Sequence, residues 1–377
     1  MSKKKKNKHK KTPTTWEEIV CRTDSQAKNK LVSGKIPKEL QLQRDEPGIC
    51  FGKKTKKFPS HYIGVGQDSD SNCIVIGGSG SNKTVGVAKT TLQTWKGAMV
   101  VTDVKGELSD YYKELYLNGL VDRPPLVFDP MDSESISYDP FEIIKEDEEG
   151  NTVSNILAVA YAIIPHNPHT HDPFWDDRER AILAAGLLYG YRIDLSFSET
   201  MSLIANSTVI ELCEEMLHTT HSDPAVRMLL GNIMELKPET AASLDCGLRN
   251  KVLPFVTDVR IANAFRGERE GATCFTWASL KDYNVFLKVP IDCVDLCQPI
   301  VNLMISQLLR YLQRQPEKHS SIDANYPPLL LLLDEFPCFN NIRGIADSVA
   351  TLRSMKKANA PLTAAMAPPI AAKEAVN

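Results

Sequence analysis

The sequence contains no long apolar run. None of its stretches reaches the roughly 18 consecutive apolar residues that a membrane-spanning helix needs, and the most apolar stretch, PPLLLLLDEFP, is far shorter. The basic residues near the start lead into TPTTWEEIV and not into an apolar segment, so no signal peptide is predicted. We therefore expect a cytoplasmic protein, with a peripheral position at the cytoplasmic face of a membrane as the alternative.

Cysteine spacing gives no sign of a metal or disulfide framework. The nine cysteines include no C-x-x-C pair, so reduced thiols are expected. His166, His169 and His171 stand close together in HNPHTHDPFW, but no cysteine or second cluster completes a zinc set. The flanking proline and asparagine favour a loop with scattered histidines, and a metal site is the alternative.

Charge is distributed unevenly along the chain. The net charge is −3, yet residues 2–11, SKKKKNKHKK, carry seven lysines and no acid, so the remainder is net acidic. A segment of this kind lacks the apolar residues that offset the entropy of ordering, and it is predicted to be disordered. Contact with nucleic acid or an anionic membrane and a simple solubilising role both remain open.

Short apolar runs alternate with helical spacing in two parts of the chain. Such runs, separated by helices, predict a parallel sheet flanked by helices, an α/β fold. The predicted strands are NCIVIGG (72–78), GAMVVTD ending at Asp103, PPLVFDP (124–130), ATCFTWASL (272–280) and YNVFLKVP (283–290). Helices are predicted from Thr84 to about Trp95 and over 297–314.

These patterns divide the chain into five parts. They are a basic, largely disordered arm and lead-in (1–60), the first part of an α/β domain (61–150), an inserted all-helical domain (151–265), the second part of the α/β domain (266–356) and an irregular tail (357–377). The tail is rich in alanine and proline and has no run of β-branched residues, so it is a poor candidate for a strand.

The stretch CIVIGGSGSNKT resembles the phosphate-binding pattern G-x-x-x-x-G-K-[ST]. A strand that enters a glycine-rich turn and then a helix directs backbone N–H groups and the helix dipole at an anion. The pattern has glycine where this chain has Asn82. Asparagine is the residue that best tolerates left-handed backbone angles after glycine, at a cost of about 1 kcal/mol. The candidate nucleotide-binding residues are Gly77, Gly78, Ser79, Gly80, Ser81, Asn82, Lys83 and Thr84.

The run LLLLLDE supplies the second half of a nucleotide site. It predicts a buried strand that ends at Asp334 and Glu335. We expect Lys83 to contact the terminal phosphates, and Thr84 and Asp334 to hold Mg²⁺. Glu335 is then the general base that polarises the attacking water. The sequence therefore predicts a site for ATP and Mg²⁺.

Several motifs in order resemble the TraG-like conjugative coupling proteins of type IV secretion, which are DNA-transfer ATPases. The resemblance runs from about residue 60 to 356 through VIGGSGSNKTVGV, VVTDVKGEL, LVFDP, DPFWDDRERAILAAGLLY, SLKDYNVFLKVP and LLLLLDEFPCFNNIRGIADSVATLRS. It implies a RecA-like P-loop ATPase with an inserted all-helical domain, assembled as a homo-hexamer. It also implies that the protein moves single-stranded DNA or a relaxase–DNA complex toward the secretion channel and its membrane subunits.

The resemblance extends to individual residues outside the two motifs. Arg353 falls where the family has an arginine that reaches a neighbouring subunit's nucleotide, and an exposed helix arginine is the alternative. Asp103 and Lys105 fall near the site, with no role assigned.

The resemblance also has a departure. The family continues into a buried strand with a glutamine that senses the γ-phosphate, between the loop strand and the acidic strand, whereas this chain has its alanine- and proline-rich tail. We therefore expect that strand to be missing and the chain to be a C-terminally shortened form whose ATPase activity is in question. Two other functions stay open: a DNA pump of chromosome segregation or repair, and an inactive fragment that acts only as a binding module.

Overall fold

A computed structural model describes residues 40–43, 46–53, 61–67, 69, 73–77, 81–165, 173–219, 224–267, 274–314, 328–335 and 362–367. The strands are β1 (Gln41–Gln43), β2 (Gly48–Lys53), β3 (His61–Gly66), β4 (Cys73–Ile76), β5 (Ala98–Asp103), β6 (Pro125–Phe128), β7 (Ser137–Tyr138), β8 (Cys274–Phe275), β9 (Asn284–Lys288), β10 (Leu329–Leu333) and β11 (Leu362–Ala367).

Helices alternate with most of the strands after β4, which confirms the predicted α/β class. They are α1 (Lys89–Thr94), α2 (Glu107–Leu117), α3 (Pro140–Lys145), α4 (Thr152–Ile163), α5 (Phe174–Arg192), α6 (Phe197–Asn206), α7 (Val209–Thr219), α8 (Pro224–Leu230), α9 (Pro238–Val252), α10 (Val259–Ala264) and α11 (Val294–Arg314). A π-helical turn, Thr84–Ala88, leads directly into α1. None of the helices in the described ranges is long and apolar enough to cross a bilayer.

The main sheet has six parallel strands in the order β4-β11-β10-β5-β9-β6. Every residue of β5 and β10 is buried. Central strands of a parallel sheet are covered on both faces, which explains the uninterrupted apolar sequences of these two strands. All six strands run in one direction, so their carboxyl ends meet at one edge.

The two faces of the sheet bury two different cores, because successive side chains of a strand point to opposite faces. Leu329, Leu331 and Leu333 of β10 pack in the larger core, which contains α11 and the helices between β6 and β9. Leu330 and Leu332 pack in the smaller core with side chains of α1, α2 and β2.

The chain between β6 and β9 is mainly helical, from α3 to α10. Ser137 and Tyr138 before these helices pair in parallel with Cys274 and Phe275 after them. The two ends of the helical segment therefore lie side by side. The exact boundaries, 151 and 265, remain a prediction.

The expectation that a central strand is missing is wrong. Residues 362–367, inside the tail predicted to be irregular, form β11 between β4 and β10. Ala365 pairs with Leu333 of β10 on one side and with Ile74 of β4 on the other. An unpaired buried N–H or C=O costs about 1–3 kcal/mol, so the two neighbouring strands favour pairing more than the alanines oppose it.

Two further parts of the chain differ from the prediction. The lead-in within 1–60 contains β1 and β2, which pair with β3 in an antiparallel sheet. That sheet packs beside α1, where the Thr94 hydroxyl donates a hydrogen bond to the Gly48 carbonyl at 2.7 Å. The predicted strand over 272–280 is only β8, followed by a 3₁₀ turn at Trp277–Lys281.

Candidate functional site

The first half of the site is the turn between β4 and the helical segment that leads into α1. β4 ends at Ile76, and Gly77 follows at the carboxyl edge of the sheet. The predicted contacts of Gly78, Ser79 and Gly80 lie outside the described residues. Ser81 and Asn82 precede a helical segment that begins at Lys83.

Asn82 has a left-handed backbone, with φ of +61°. This conformation agrees with the expectation that asparagine adopts the angles that glycine has in the phosphate-loop pattern. The Asn82 carbonyl accepts a hydrogen bond from Gly86 N at 2.7 Å. The same residue therefore both turns the loop and begins the helix.

Lys83 reaches back toward the end of β4. Its Nζ donates a hydrogen bond to the Gly77 carbonyl at 2.6 Å, so the half-buried ammonium lies at the carboxyl edge of the sheet. Thr84 begins the π-helical turn, a deviation from α-helix that occurs frequently at functional sites. The loop thus has a cation, a hydroxyl and a helix start at one end of β4.

The second half of the site is Asp334, which directly follows β10. Its side chain belongs to a residue only 4% exposed. Burial raises the pKa of Asp334 to about 6, and the charges of Glu335 and Asp103 act in the same direction, against the Glu335 backbone N–H and Lys105. The Thr102 hydroxyl donates to the Asp334 carbonyl at 3.2 Å. The backbone of Asp334 is therefore held at the sheet edge by its strand and by β5.

Glu335 differs from its neighbour in backbone and exposure. Its φ is +48°, a left-handed conformation that is uncommon for a residue with a long side chain. The turn leaves its side chain 23% exposed, and Oε1 lies 3.5 Å from Lys105 Nζ. A carboxylate in this position can accept a proton from a bound water.

Asp103 has a defined structural role that the sequence did not reveal. Its Oδ2 accepts hydrogen bonds from Leu108 N at 3.1 Å, from Ser109 N at 2.8 Å and from the Ser109 hydroxyl at 2.8 Å. It therefore satisfies the first N–H groups of α2. Its second oxygen, Oδ1, is buried and has no hydrogen-bond partner within the described part of the chain.

Another ion pair at this edge escaped the sequence analysis. Lys288 Nζ at the end of β9 lies 3.3 Å from Asp129 Oδ2 just beyond β6. Gly106 has φ of +75°, and a Cβ there would meet Lys288 Cε at 2.8 Å. A charged residue at the end of an otherwise apolar strand was the available signal, since Lys288 follows NVFL.

The donor set is suited to Mg²⁺ and a nucleotide. Mg²⁺ prefers oxygen ligands, and it usually takes one or two protein oxygens together with phosphates and water. The Thr84 hydroxyl and the Asp334 carboxyl group are such donors. No cluster of three or more histidine, cysteine, aspartate or glutamate side chains that could hold a metal occurs among the described residues.

Two predicted features cannot be located. Arg353 lies outside the described residues, as do His166, His169 and His171. The arginine-finger assignment and the histidine alternative therefore stay predictions.

The sheet order, with the strands before the loop and before the acidic pair ending at one edge, defines the fold class as RecA-like P-loop. The fold is similar to that of the conjugative coupling protein TrwB in a form named TrwBdeltaN70, with sulphate (TM-score 0.57, 15% identity, 81% of this chain and 65% of that chain). TrwB in complex with the ATP analogue ADPNP gives a TM-score of 0.59 at 15% identity, covering 81% and 66%. VirB4 of Thermoanaerobacter pseudethanolicus gives 0.50 at 13% identity, covering 89% and 79%.

Residues 23–357 match the family described as type IV secretory system conjugative DNA transfer, and the chain belongs to that family. The conjugal transfer protein TraG of Escherichia coli is 24% identical over an alignment of 352 residues that covers 84% of this chain and 53% of TraG. A second E. coli TraG is 23% identical over 335 residues, covering 80% and 51%. The chain spans about half the length of these curated relatives. The resemblance seen in the motifs is confirmed.

Proposed function

We propose that the chain is an ATP-driven coupling protein of conjugative type IV secretion, which translocates single-stranded DNA or a relaxase–DNA complex. One observation carries the proposal: β4, which leads into the phosphate loop, and β10, which leads into the acidic pair, end at the same edge of one parallel sheet with β11 between them. Adjacent strands lie about 4.8 Å apart, so the two strand ends are about 10 Å apart, a distance that a triphosphate can bridge.

Nucleotide contacts are assigned to the loop from Gly77 to Thr84. Its backbone N–H groups and the Lys83 ammonium bind phosphate oxygens. TrwB has been solved with ADPNP and with ADP and Mg²⁺, and this supports the choice of ATP as the nucleotide.

Thr84 and Asp334 hold the metal, and Glu335 orients the attacking water. Bound Mg²⁺ supplies charge neutralisation on the phosphates. Asp334 must be ionised to ligate it, and Glu335 accepts the proton of the water as general base. Arg353 of a neighbouring subunit is the proposed arginine finger.

The proposed partners follow from the family. They are DNA, in single-stranded form, a relaxase, the secretion channel with its membrane subunits, and further copies of this chain in a hexameric ring. The alternatives are a segregation or repair pump with another cargo, and a binding module without turnover. Neighbouring relaxase and channel genes would favour the conjugative function over the pump.

Titration with a fluorescent ATP analogue in the presence and absence of Mg²⁺ tests the site. Lys83→Ala should abolish Mg²⁺-dependent binding. Lys89→Ala is a matched control, because Lys89 lies on the same helical segment and its Nζ lies 5.1 Å from the centre of the Tyr111 ring; it should leave the Kd within about twofold. Unchanged binding in Lys83→Ala would overturn the site.

Turnover separates the motor from the inert fragment. ATP hydrolysis measured with and without single-stranded DNA should be stimulated by the DNA, and Glu335→Gln should bind ATP but lose about 10²–10⁴-fold in kcat. Stimulated turnover would rule out the binding module. Absence of hydrolysis with intact nucleotide binding would instead support it.

A further inference from the structure

Lys105 and Glu335 form an ion pair between two loops at the carboxyl edge of the sheet. Lys105 Nζ lies 3.5 Å from Glu335 Oε1. Lys105 follows β5 and Glu335 follows β10, and these two strands are neighbours, with Thr102 paired in register with Leu333. The pairing thus follows from the strand order, although the two residues are far apart in sequence.

The loop that carries Lys105 is held in place on both sides. Before it, the buried Asp103 accepts three hydrogen bonds from Leu108 and Ser109 at the start of α2. After it, Gly106 adopts a left-handed backbone that brings the loop against Lys288. The backbone on both sides of Lys105 is therefore fixed, and its half-exposed side chain starts from a defined point of the sheet edge.

Glu335 is less firmly held, because backbone strain and neighbouring negative charge both act against the observed position of its side chain. Its left-handed backbone is strained for a non-glycine residue. The carboxyl group of Asp334 is its sequence neighbour, and Asp103 adds negative charge to the same edge, as its effect on Asp334 shows. A cation beside Glu335 opposes this repulsion.

Lys105 approaches Glu335 from the side away from the phosphate loop. In the sheet order, β5 lies on one side of β10, whereas β11 and β4 lie on the other. β5, which precedes Lys105, is therefore three positions from β4 in the sheet, and Glu335 lies between Lys105 and the loop at Gly77.

We propose that Lys105 is a positioning residue that holds the Glu335 carboxylate at the strand end in the orientation needed to activate water. The inference rests on the proposed function, since Glu335 has a partner to activate only if the chain hydrolyses ATP. It assigns a role to the lysine of the TDVKGE segment, for which the sequence offered none.

Steady-state hydrolysis and nucleotide affinity test the assignment together. Lys105→Ala and Lys105→Gln should lower kcat about tenfold or more while leaving KM and the Kd of a fluorescent ATP analogue within twofold. Gln keeps most of the side-chain length without the charge, so equal losses identify the charge as the important property. Lys105→Arg should recover at least a third of the wild-type kcat. Lys113→Ala, an exposed lysine on α2, should behave as wild type.

A second readout needs no turnover. In urea unfolding without nucleotide, the losses of unfolding free energy in Lys105→Ala and Glu335→Gln should be non-additive, since each substitution removes the same ion pair.

The same two substitutions should also be non-additive in kcat. In Glu335→Gln, adding Lys105→Ala should lower kcat no further. Additive urea shifts, or an unchanged or raised kcat in Lys105→Ala, would overturn the inference alone. A wild-type protein that binds no MgATP would overturn the proposed function, and this inference with it.

Discussion

The hydroxyl of Thr102 donates a hydrogen bond to the backbone carbonyl of Asp334 at 3.2 Å, which joins the end of β5 to the end of β10. The next residue on β5 is Asp103, which is fully buried, and Asp334 is nearly so. Two buried acidic side chains thus end adjacent strands, and burial favours the protonated form of Asp334. The protonation of Asp334 should therefore be visible in the stability of the protein.

Asp334→Asn should stabilise the nucleotide-free protein at pH 7 but not at pH 4. The folded-state pKa of Asp334 is about 6 against an ordinary value of 3.8, so between these values the folded protein keeps a proton that the unfolded chain has lost. The free energy of unfolding of the wild type consequently falls as pH rises through this window, by up to about 3 kcal/mol. Asparagine does not ionise and removes this loss. Urea denaturation of both proteins at pH 4 and pH 7 measures the difference.

Asp132→Asn is the control for that experiment. Asp132 lies in an exposed turn, where its Oδ1 accepts a hydrogen bond from Glu134 N at 3.0 Å. Asp132 lacks the burial that acts on Asp334, so Asp132→Asn measures what the loss of an exposed carboxylate alone does to stability at each pH. If the difference between wild type and Asp334→Asn is also the same at pH 4 and pH 7, the buried carboxyl group does not have the raised pKa.

Substitution of Asn82 should separate the backbone of the phosphate loop from its side chains. Asn82→Gly preserves the left-handed φ of +61° and should leave the Kd for MgATP unchanged or lower. Asn82→Val should raise the Kd by about 5- to 30-fold, since a β-branched residue loses about 1–2 kcal/mol in this conformation. Titration with a fluorescent ATP analogue measures both variants.

A second left-handed residue provides the comparison. Asp194 also has φ of +61°, between α5 and α6 of the helical segment. Asp194→Val should lower the thermal midpoint without changing nucleotide affinity. If Asn82→Val binds nucleotide as tightly as the wild type, the left-handed turn is not needed for binding.

The sequence was informative where the signal is local. A strand, a glycine-rich turn and a helix occupy consecutive residues around Lys83, and five leucines followed by Asp334 form one buried strand with its end. Such patterns depend on side-chain periodicity within one segment. The strand and helix on either side of the loop, and the buried strand before Asp334, could therefore be predicted before the fold was known, whereas the roles of the site residues stay predictions.

The sequence was misleading where pairing decides the structure. LTAAMA in β11 has weak strand propensity, but its place between β4 and β10 provides hydrogen-bond partners on both sides. The contact between Lys105 and Glu335 has no local signal either, because it depends on which strands are neighbours. β11 itself contains no glutamine. The glutamine that the family resemblance led us to expect there, as a sensor of the γ-phosphate, is therefore absent from β11.

Asn284 should be important for stability at the amino-terminal ends of the strands, opposite the candidate site. It is fully buried at the start of β9. Its Oδ1 accepts from Met99 N at 2.8 Å and from Arg123 Nε at 3.2 Å, and its Nδ2 donates to the Tyr112 hydroxyl at 2.7 Å. Asn284→Leu should lower the free energy of unfolding by about 2–4 kcal/mol, because a buried N–H and a partly buried guanidinium lose a partner.

Urea denaturation of Asn284→Leu measures this loss. Asn250→Leu, at an exposed position of α9, should change the free energy of unfolding by less than about 0.5 kcal/mol. Similar effects at the two positions would mean that the buried hydrogen bonds of Asn284 contribute little to stability. The backbone hydrogen bonds of the sheet would then hold the strand ends by themselves.

Gly190→Ala should destabilise the packing of α5 against α6. A Cβ at Gly190 would lie 2.1 Å from Thr200 Oγ1 and 2.6 Å from Thr200 Cγ2, and Thr200 is fully buried. Overpacking of this kind costs about 1–3 kcal/mol, which exceeds the gain of up to about 1 kcal/mol from replacing a helical glycine. The thermal midpoint should therefore fall, whereas Gly150→Ala, where a Cβ meets nothing within 4 Å, should leave it nearly unchanged.

The double variant Gly190→Ala/Thr200→Ala tests whether contact with Thr200 causes the destabilisation. Thr200→Ala removes both atoms nearest to the added Cβ, so Gly190→Ala should cost less in that background than in the wild type. Thr200→Ala alone has its own cost, since the Thr200 hydroxyl donates to the Ser196 carbonyl at 2.9 Å. Equal costs of Gly190→Ala in the two backgrounds would show that the helices move apart without regard to Thr200, and that the close approach of α5 and α6 is not what requires glycine at position 190.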